Sequence, residues 1–288
     1  MAIIKSLAVG KAKGSMQNIT YRCLGGDTIG QGKVAFPSIP RTNRQMALRV
    51  KWANLVNVWQ ALEGVWHPSF EQAVGRVSDF NLFMSRNLTG SAGVYLTSSQ
   101  AKANASVAAA YCVTEGSLVS IDSQIANGVL KSDISIGDLA IDEETTVADF
   151  SNAVVRNNSD WAYGDQISFI SLEQRVDSVT GKPYVFARME ELTLNGDRDD
   201  ELLADVVSPE AFSVVDNKIS TGASVQGAAA YIHSRYQNGK TLVSTQSLVA
   251  ANSILAQYQS DTAKNEAIIS YGGKVTNEFL TPEIDVTL

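Results

Sequence analysis

The spacing of apolar residues changes character near Leu96, and that change favours an architecture in which helices and an antiparallel sheet are segregated along the sequence. Before it, Met46, Val50, Ala53, Val56 and either Trp59 or Gln60 recur at helical intervals, with Trp52, Leu55 and Leu62 widening the stripe. Thr42-Asn43-Arg44-Gln45 opens this helix as a capping box, in which the threonine oxygen and the glutamine side chain each satisfy an orphan amide of the first turn. The helix is expected over 42–63. A second is expected from Ser69 through Val74, Val77, Phe80 and Phe83 to about Asn87, paired with the first. After Leu96 come short alternating runs, such as 134–136, 167–172 and 184–189, separated by glycine, proline, asparagine and aspartate. The strongest local signal is the run 229–236, then Gln237-Asn238-Gly239-Lys240, then 241–245. Asn-Gly tolerates the positive φ of a two-residue turn, so this segment is a β-hairpin.

Upstream, residues 5–36 carry Gly10, Gly14, Gly25, Gly26, Gly30 and Gly32 around the β-prone run 19–23, which reads as an irregular hairpin ended by Pro37 and Pro40. A short helix is expected within 138–151. The tail over 247–271 reads as one or two helices stopped by Gly272-Gly273. The fold class is therefore α+β: an N-terminal β-hairpin and helix-pair module over 1–95, followed over 96–288 by an antiparallel, β-sandwich-like domain with a helical tail.

The hydrophobic fraction of 44% in 288 residues suffices for a packed core. A net charge of −7 opposes attraction to phosphate backbones, so nucleic acid is not an expected partner. No window approaches the ~18 uninterrupted apolar residues of a spanning helix, and no membrane partner is expected. The short apolar start is interrupted by Lys5 and reads as part of the fold, not as a leader.

Histidine occurs only at His67 and His233, which leaves little material for a histidine-dependent triad or a multi-histidine metal site. Both read as structural, the first at a helix connection and the second within a strand. Cys23 and Cys112 sit among strand-like residues and read as small buried hydrophobes. The segment 25–32 superficially suggests a phosphate loop, but it lacks a Gly-Lys-Ser/Thr ending and runs into proline, so it reads as a hairpin tip. Residues 195–201 cluster carboxylates around Arg198 at a spacing unlike the EF-hand, as in a solvated loop, with cation binding left open. Asp142-Glu143-Glu144 reads as a charged turn or helix start. Trp52, Trp59 and Trp66 recur every seven residues, as a core seam or a partner-binding stripe. No catalytic, cofactor-binding or metal-ligating residue is assigned, no cofactor is expected, and the chain is not expected to be an enzyme.

The stretch from Gly14 to Leu62, with Pro40-Arg41-Thr42, Gln45, Arg49, Trp52 and Trp59, resembles the amino-terminal module of a family of uncharacterised proteins encoded by gut Bacteroidales and their phages, crAss-like phages among them. Thr114-Glu115-Gly116-Ser117-Leu118, Trp161-Ala162-Tyr163-Gly164-Asp165-Gln166 and the hairpin over 231–244 resemble the same family's β-domain. The resemblance implies a structural virion protein made in the host cytoplasm: a head fibre, a capsid decoration or attachment protein, or a tail or connector ring component. Its implied partners are other virion proteins (capsid or head–tail connector) and further copies of itself. The family carries over no catalytic residues, and the segment 195–215 and the helical tail depart from its pattern. Within this reading, the amino-terminal module attaches the chain and the β-domain is displayed or makes lateral contacts. The alternative is a carbohydrate- or ligand-binding β-module, for which Tyr163, Tyr184 and Tyr236 are the candidate aromatics.

Overall fold

The computed structural model describes residues 2–4, 13–16, 18–24, 27–33, 42–66, 69–73, 77–89 and 93–273. The chain divides into two compact units, Met1–Arg41 and Thr42–Leu288. In the first, β1 (Ala2–Ile4), β2 (Gly14–Met16), β3 (Ile19–Leu24) and β4 (Asp27–Gly32) form an antiparallel sheet in the order β1-β4-β3-β2. The expected hairpin is its β3–β4 core. Residues 27–32 are not a hairpin tip: β4 is an interior strand, with Gly30 opposite Ala2 on one side and Tyr21 on the other. Burial of the β-branched Thr28 and Ile29 outweighs the weak strand preference of Gly30 and Gly32. Gly25, Gly26, Pro37 and Pro40 lie outside the described residues.

The second unit opens with α1 (Asn43–Glu63), capped by Thr42, whose Oγ1 accepts the Gln45 amide at 3.4 Å. Only this half of the expected capping box is present among the described contacts. The next helix, α2 (Asp79–Thr89), starts well after Ser69, with Ser78 Oγ accepting the Asn81 amide at 3.3 Å. Residues 69–73 stay non-helical because Phe70 bridges to Glu115, and Val74 lies outside the described residues. After α3 (Ser98–Lys102), two buried asparagines sew the helices to an extended segment. Asn54 on α1 accepts the Val107 amide at 2.7 Å and donates to the Val107 carbonyl and Tyr111 hydroxyl; Asn87 on α2 exchanges the same pair of bonds with Cys112. Each amide side chain thus takes the place of a strand for a backbone that would otherwise be buried unpaired.

The strands then follow as β5 (Cys112–Thr114), β6 (Ser123–Ala126), β7 (Val129–Ser135), β8 (Gln166–Val176), β9 (Pro183–Thr193), β10 (Ser213–Val215), β11 (Lys218–Ser220), β12 (Gly227–Gln237), β13 (Lys240–Val243), β14 (Gln246–Ser247) and β15 (Val249–Ala250). Helices α4 (Val147–Asn157) and α5 (Leu203–Val206) interrupt them, and α6 (Leu255–Gln259) and α7 (Asp261–Ser270) end the described chain. Among the described residues, three two-residue turns have both residues at positive φ: Asn127-Gly128, Asp216-Asn217 and Asn238-Gly239. Such turns match the twist of the strands they join, and they close the hairpins β6–β7, β10–β11 and β12–β13.

The central sheet runs β13-β12-β8-β9, with β15 also on β12, and faces a second sheet, β10-β11-β7-β6. Both faces of the central sheet are buried. Ile170, Leu172, Ala228, Ala230 and Ile232 pack with Leu55, Trp59, Leu62 and Phe83 of α1 and α2. Ile167, Phe169, Ala229 and Tyr231 pack with Leu130, Ile134 and Ile219 of the second sheet and Phe150 of α4. A strand covered on both faces reads as a continuous apolar run, which is why residues 227–232 show no alternation. The result is an α+β fold with sandwich-like sheets. The helix pair shares its core with the sheet, so packing does not break near residue 95. It breaks at Arg41/Thr42, because Trp59 and Phe83 need the apolar face of β8 and β12 to be buried.

Candidate functional site

Residues 114–118, 161–166 and 231–244 come together at one place, the root of the β12–β13 hairpin. Residues 158–166 form a tight approach to β8 that buries Asp165; its side chain and that of His233 are each only 2% exposed. Arg235 Nε donates to Asp165 Oδ1 and Nη2 to Oδ2, both at 2.6 Å, and the Ala162 amide donates to Oδ2 at 2.8 Å. His233 Nε2 lies 2.9 Å from the same oxygen. His233 and Arg235 share one face of β12 because they are two residues apart in a strand. Burial alone pushes the Asp165 carboxyl up, but the bonds from Arg235 and His233 win and hold it down at about 2. Trp161 stacks on the His233 ring at 3.8 Å and 18°, and Arg235 Nη2 also donates to the Asp160 carbonyl at 2.8 Å.

A carboxylate beside a histidine invites an acid–base reading. Here the imidazole is roofed by an indole and walled from solvent, the carboxylate is fully engaged, and the cluster holds β12 to the turn before β8.

The opposite strand is held by the second patch. Glu71 Oε1 accepts the amides of Ser117 at 2.9 Å and Val243 at 2.8 Å. Burial raises the Glu71 carboxyl, yet the bonds from Ser117 and Val243 prevail and lower it. The Leu118 amide donates to the Val243 carbonyl at 3.1 Å, so both outward backbone groups of Val243 are taken and the β13 edge is stoppered at that point. A Cβ at Gly116 would stand 2.2 Å from the Val243 carbonyl oxygen, so the loop approaches this closely only with glycine. Arg86 clamps Glu115 through Nε at 2.6 Å and Nη2 at 2.7 Å.

Beyond this root the hairpin stands alone. Ser234 is the last β12 residue paired with β8, opposite Gln166, whereas pairing with β13 continues to Gln237. Three residues of strand, ~10 Å at ~3.3 Å per residue, project past the sheet. Tyr236 there is 74% exposed.

Of the other sequence candidates, His67 lies outside the described residues. Cys112 is half-buried, with burial pushing its thiol up, whereas Cys23 is exposed, not buried. In 195–201 Arg198 pairs with Glu201, and Asn195 accepts the Asp197 amide at 2.8 Å. No group of three or more histidines, cysteines or carboxylates placed to hold a metal occurs among the described residues. Asp142 caps a turn, accepting the Thr145 hydroxyl at 2.8 Å. The tryptophans divide: Trp59 is buried against Phe80 and Phe83, Trp66 packs at the edge of that cluster, and Trp52 is 47% exposed. Tyr163 and Tyr236 are exposed near one end of the central sheet, whereas Tyr184 pairs with Arg175, nine residues along β8 from Gln166 and ~30 Å away. The three do not form one platform. Asp165 and Arg235 were not singled out from the sequence; the signal for them is a histidine and an arginine at i, i+2 of a strand facing an aspartate in a Gly-Asp turn. The chain matches no protein-family model, no curated protein and no solved structure.

Proposed function

We propose that this chain is a structural component of a bacteriophage particle, a head fibre or a capsid decoration or attachment protein, that works by protein–protein assembly. The observation that supports it best is convergence. Three patches distant in sequence, 114–118, 161–166 and 231–244, each resemble one phage-encoded family, and their polar groups are used to brace a single projecting hairpin. A braced projection suits a contact element, because an element already held in its bound shape loses little entropy on docking. A sugar-binding module draws less support, since its three candidate tyrosines are split between opposite ends of the sheet. Mass spectrometry of purified particles of the phage that encodes the chain tests the reading. Recovery at the copy number of a structural protein is expected, and absence from the particles overturns it.

A further inference from the structure

We infer that copies of this chain associate head to tail, the tip of the β12–β13 hairpin of one copy seating in an acid-rimmed apolar groove of the next. The inference rests on the assembly reading above and names its contact. The groove, about 610 Å³, lies between the loop after β7 and the segment from α5 to β11. That size is within the range that accepts a compact ligand, here one aromatic side chain with its flanking backbone. Leu139, Ile141 and Phe212 line it, and four carboxylates surround it: Asp138, Asp142, Glu143 and Asp216.

Two of these carboxylates are already occupied. Asp142 accepts the Thr145 hydroxyl and the Glu144 amide, and Asp216 pairs with Lys131. Asp138 and Glu143 are exposed and make no side-chain bond among the described residues. They face an apolar opening with uncompensated negative charge, on a chain whose net charge is −7. A cationic, aromatic visitor is what such an opening favours.

The hairpin tip has that chemistry. Tyr236 supplies a large amphipathic ring, and Lys240, across the Asn238-Gly239 turn, supplies a positive charge that makes no ion pair among the described residues. Pairing from Ser234–Val243 to Gln237–Lys240 keeps the tip straight, and the Asp165 and Glu71 clusters fix its root, so it cannot fold back into its own groove. The groove therefore takes the tip of another copy. Because tip and groove are different surfaces, the contact is heterologous, and repeating it closes a ring or extends a fibre.

Sedimentation velocity on the full chain tests this with three proteins: wild type, a tip variant Lys240→Glu, and a groove variant Asp138→Lys/Glu143→Lys. Wild type is expected to exceed monomer mass and to shift toward monomer as salt is raised, since the rim charges are screened. Each variant alone should self-associate more weakly by on the order of tenfold or more. Mixing the two variants restores the contact from the intact tip of one to the intact groove of the other and also sets the reversed tip charge against the reversed rim, so the mixture should associate beyond monomer where neither variant does alone. Tyr236→Ala provides a second tip variant without charge reversal and should behave as Lys240→Glu does. Monomeric wild type at all concentrations, variants that assemble like wild type, or a mixture that stays monomeric each overturn the inference. A chain present in virions yet monomeric in solution removes this contact alone, whereas a self-associating chain absent from virions removes the virion reading and leaves the contact.

Discussion

Within one hairpin the structure holds two opposite solutions to the same problem. At the root of β12–β13, Asp165 and His233 are buried and bonded to each other, the half-buried Arg235 clamps Asp165, and Glu71 and Leu118 close the neighbouring edge. A few residues on, Tyr236 and Lys240 are exposed and make no side-chain bond among the described residues. The root is where the chain specifies one conformation, and the tip is where it leaves surface for something else. Rigid support beneath an uncommitted end is the general arrangement of a binding element on a scaffold.

The largest expected effect tests the root. Asp165→Ala leaves the half-buried Arg235 guanidinium without its partner beside a buried imidazole, a loss of charge-assisted bonds that costs about 3 kcal/mol. Urea denaturation should show the unfolding free energy falling by that amount. A loss below ~1 kcal/mol would mean that the cluster is replaceable by water and that the hairpin is held elsewhere.

A smaller effect follows from pH. The Asp165 carboxyl is held at about 2, below its ordinary value of ~3.9, so its contribution is complete above that ordinary value and is lost as pH falls from ~4 through ~2. The shift corresponds to about 2–3 kcal/mol. Stability measured across this window should decline more steeply in wild type than in Asp165→Asn, where no carboxylate remains to protonate at that site. Parallel curves would assign the acid sensitivity to other groups, of which Glu71, also held low, is the first to examine.

At the next step down, helix capping compares a complete cap with an incomplete one. Thr146 on α4 accepts the Asp149 amide at 3.1 Å while Asp149 returns a bond to the Thr146 amide, whereas Thr42 on α1 makes only the first of these bonds, at 3.4 Å. Thr146→Ala should cost about 1 kcal/mol and Thr42→Ala less. The reverse order in thermal melts would show that the two N-termini differ in packing more than in capping.

Much of this scaffold was legible from local chemistry. The helix α1, the strands β8 and β9 and the Asn238-Gly239 turn follow from period and from turn residues, since both act over a few neighbours. The start of α2 did not, because Phe70 is recruited by Glu115, forty-five residues away, and no local signal records that bridge. That the helix pair shares one core with the sheet was not legible for a related reason. An amphipathic helix pair announces that it needs a partner surface but not which one, and here the partner is the face of β8 and β12. Asn54 and Asn87 were invisible in the same way, as polar residues at core positions whose partners are backbone groups of a distant segment. His233 was read as a strand residue and lies in β12, yet the carboxylate that engages it lies sixty-eight positions upstream.

The smallest expected effect is also the sharpest test of root against tip. Tyr236→Ala removes a ring that is 74% exposed and makes no side-chain bond among the described residues, so the folded monomer loses almost no buried surface. Its midpoint in urea should stay within ~0.5 kcal/mol of wild type, even though the substitution lies one residue from Arg235, where the same method should register one of the largest losses in the chain. The strand pairing opposite Thr241 does not depend on the ring, and the Asn238-Gly239 turn that sets the register is untouched. Retained stability together with lost self-association places the tyrosine on a contact surface. A clear loss of monomer stability instead means that the ring packs onto its own chain, in which case root and tip are one structural unit and the division drawn between them fails.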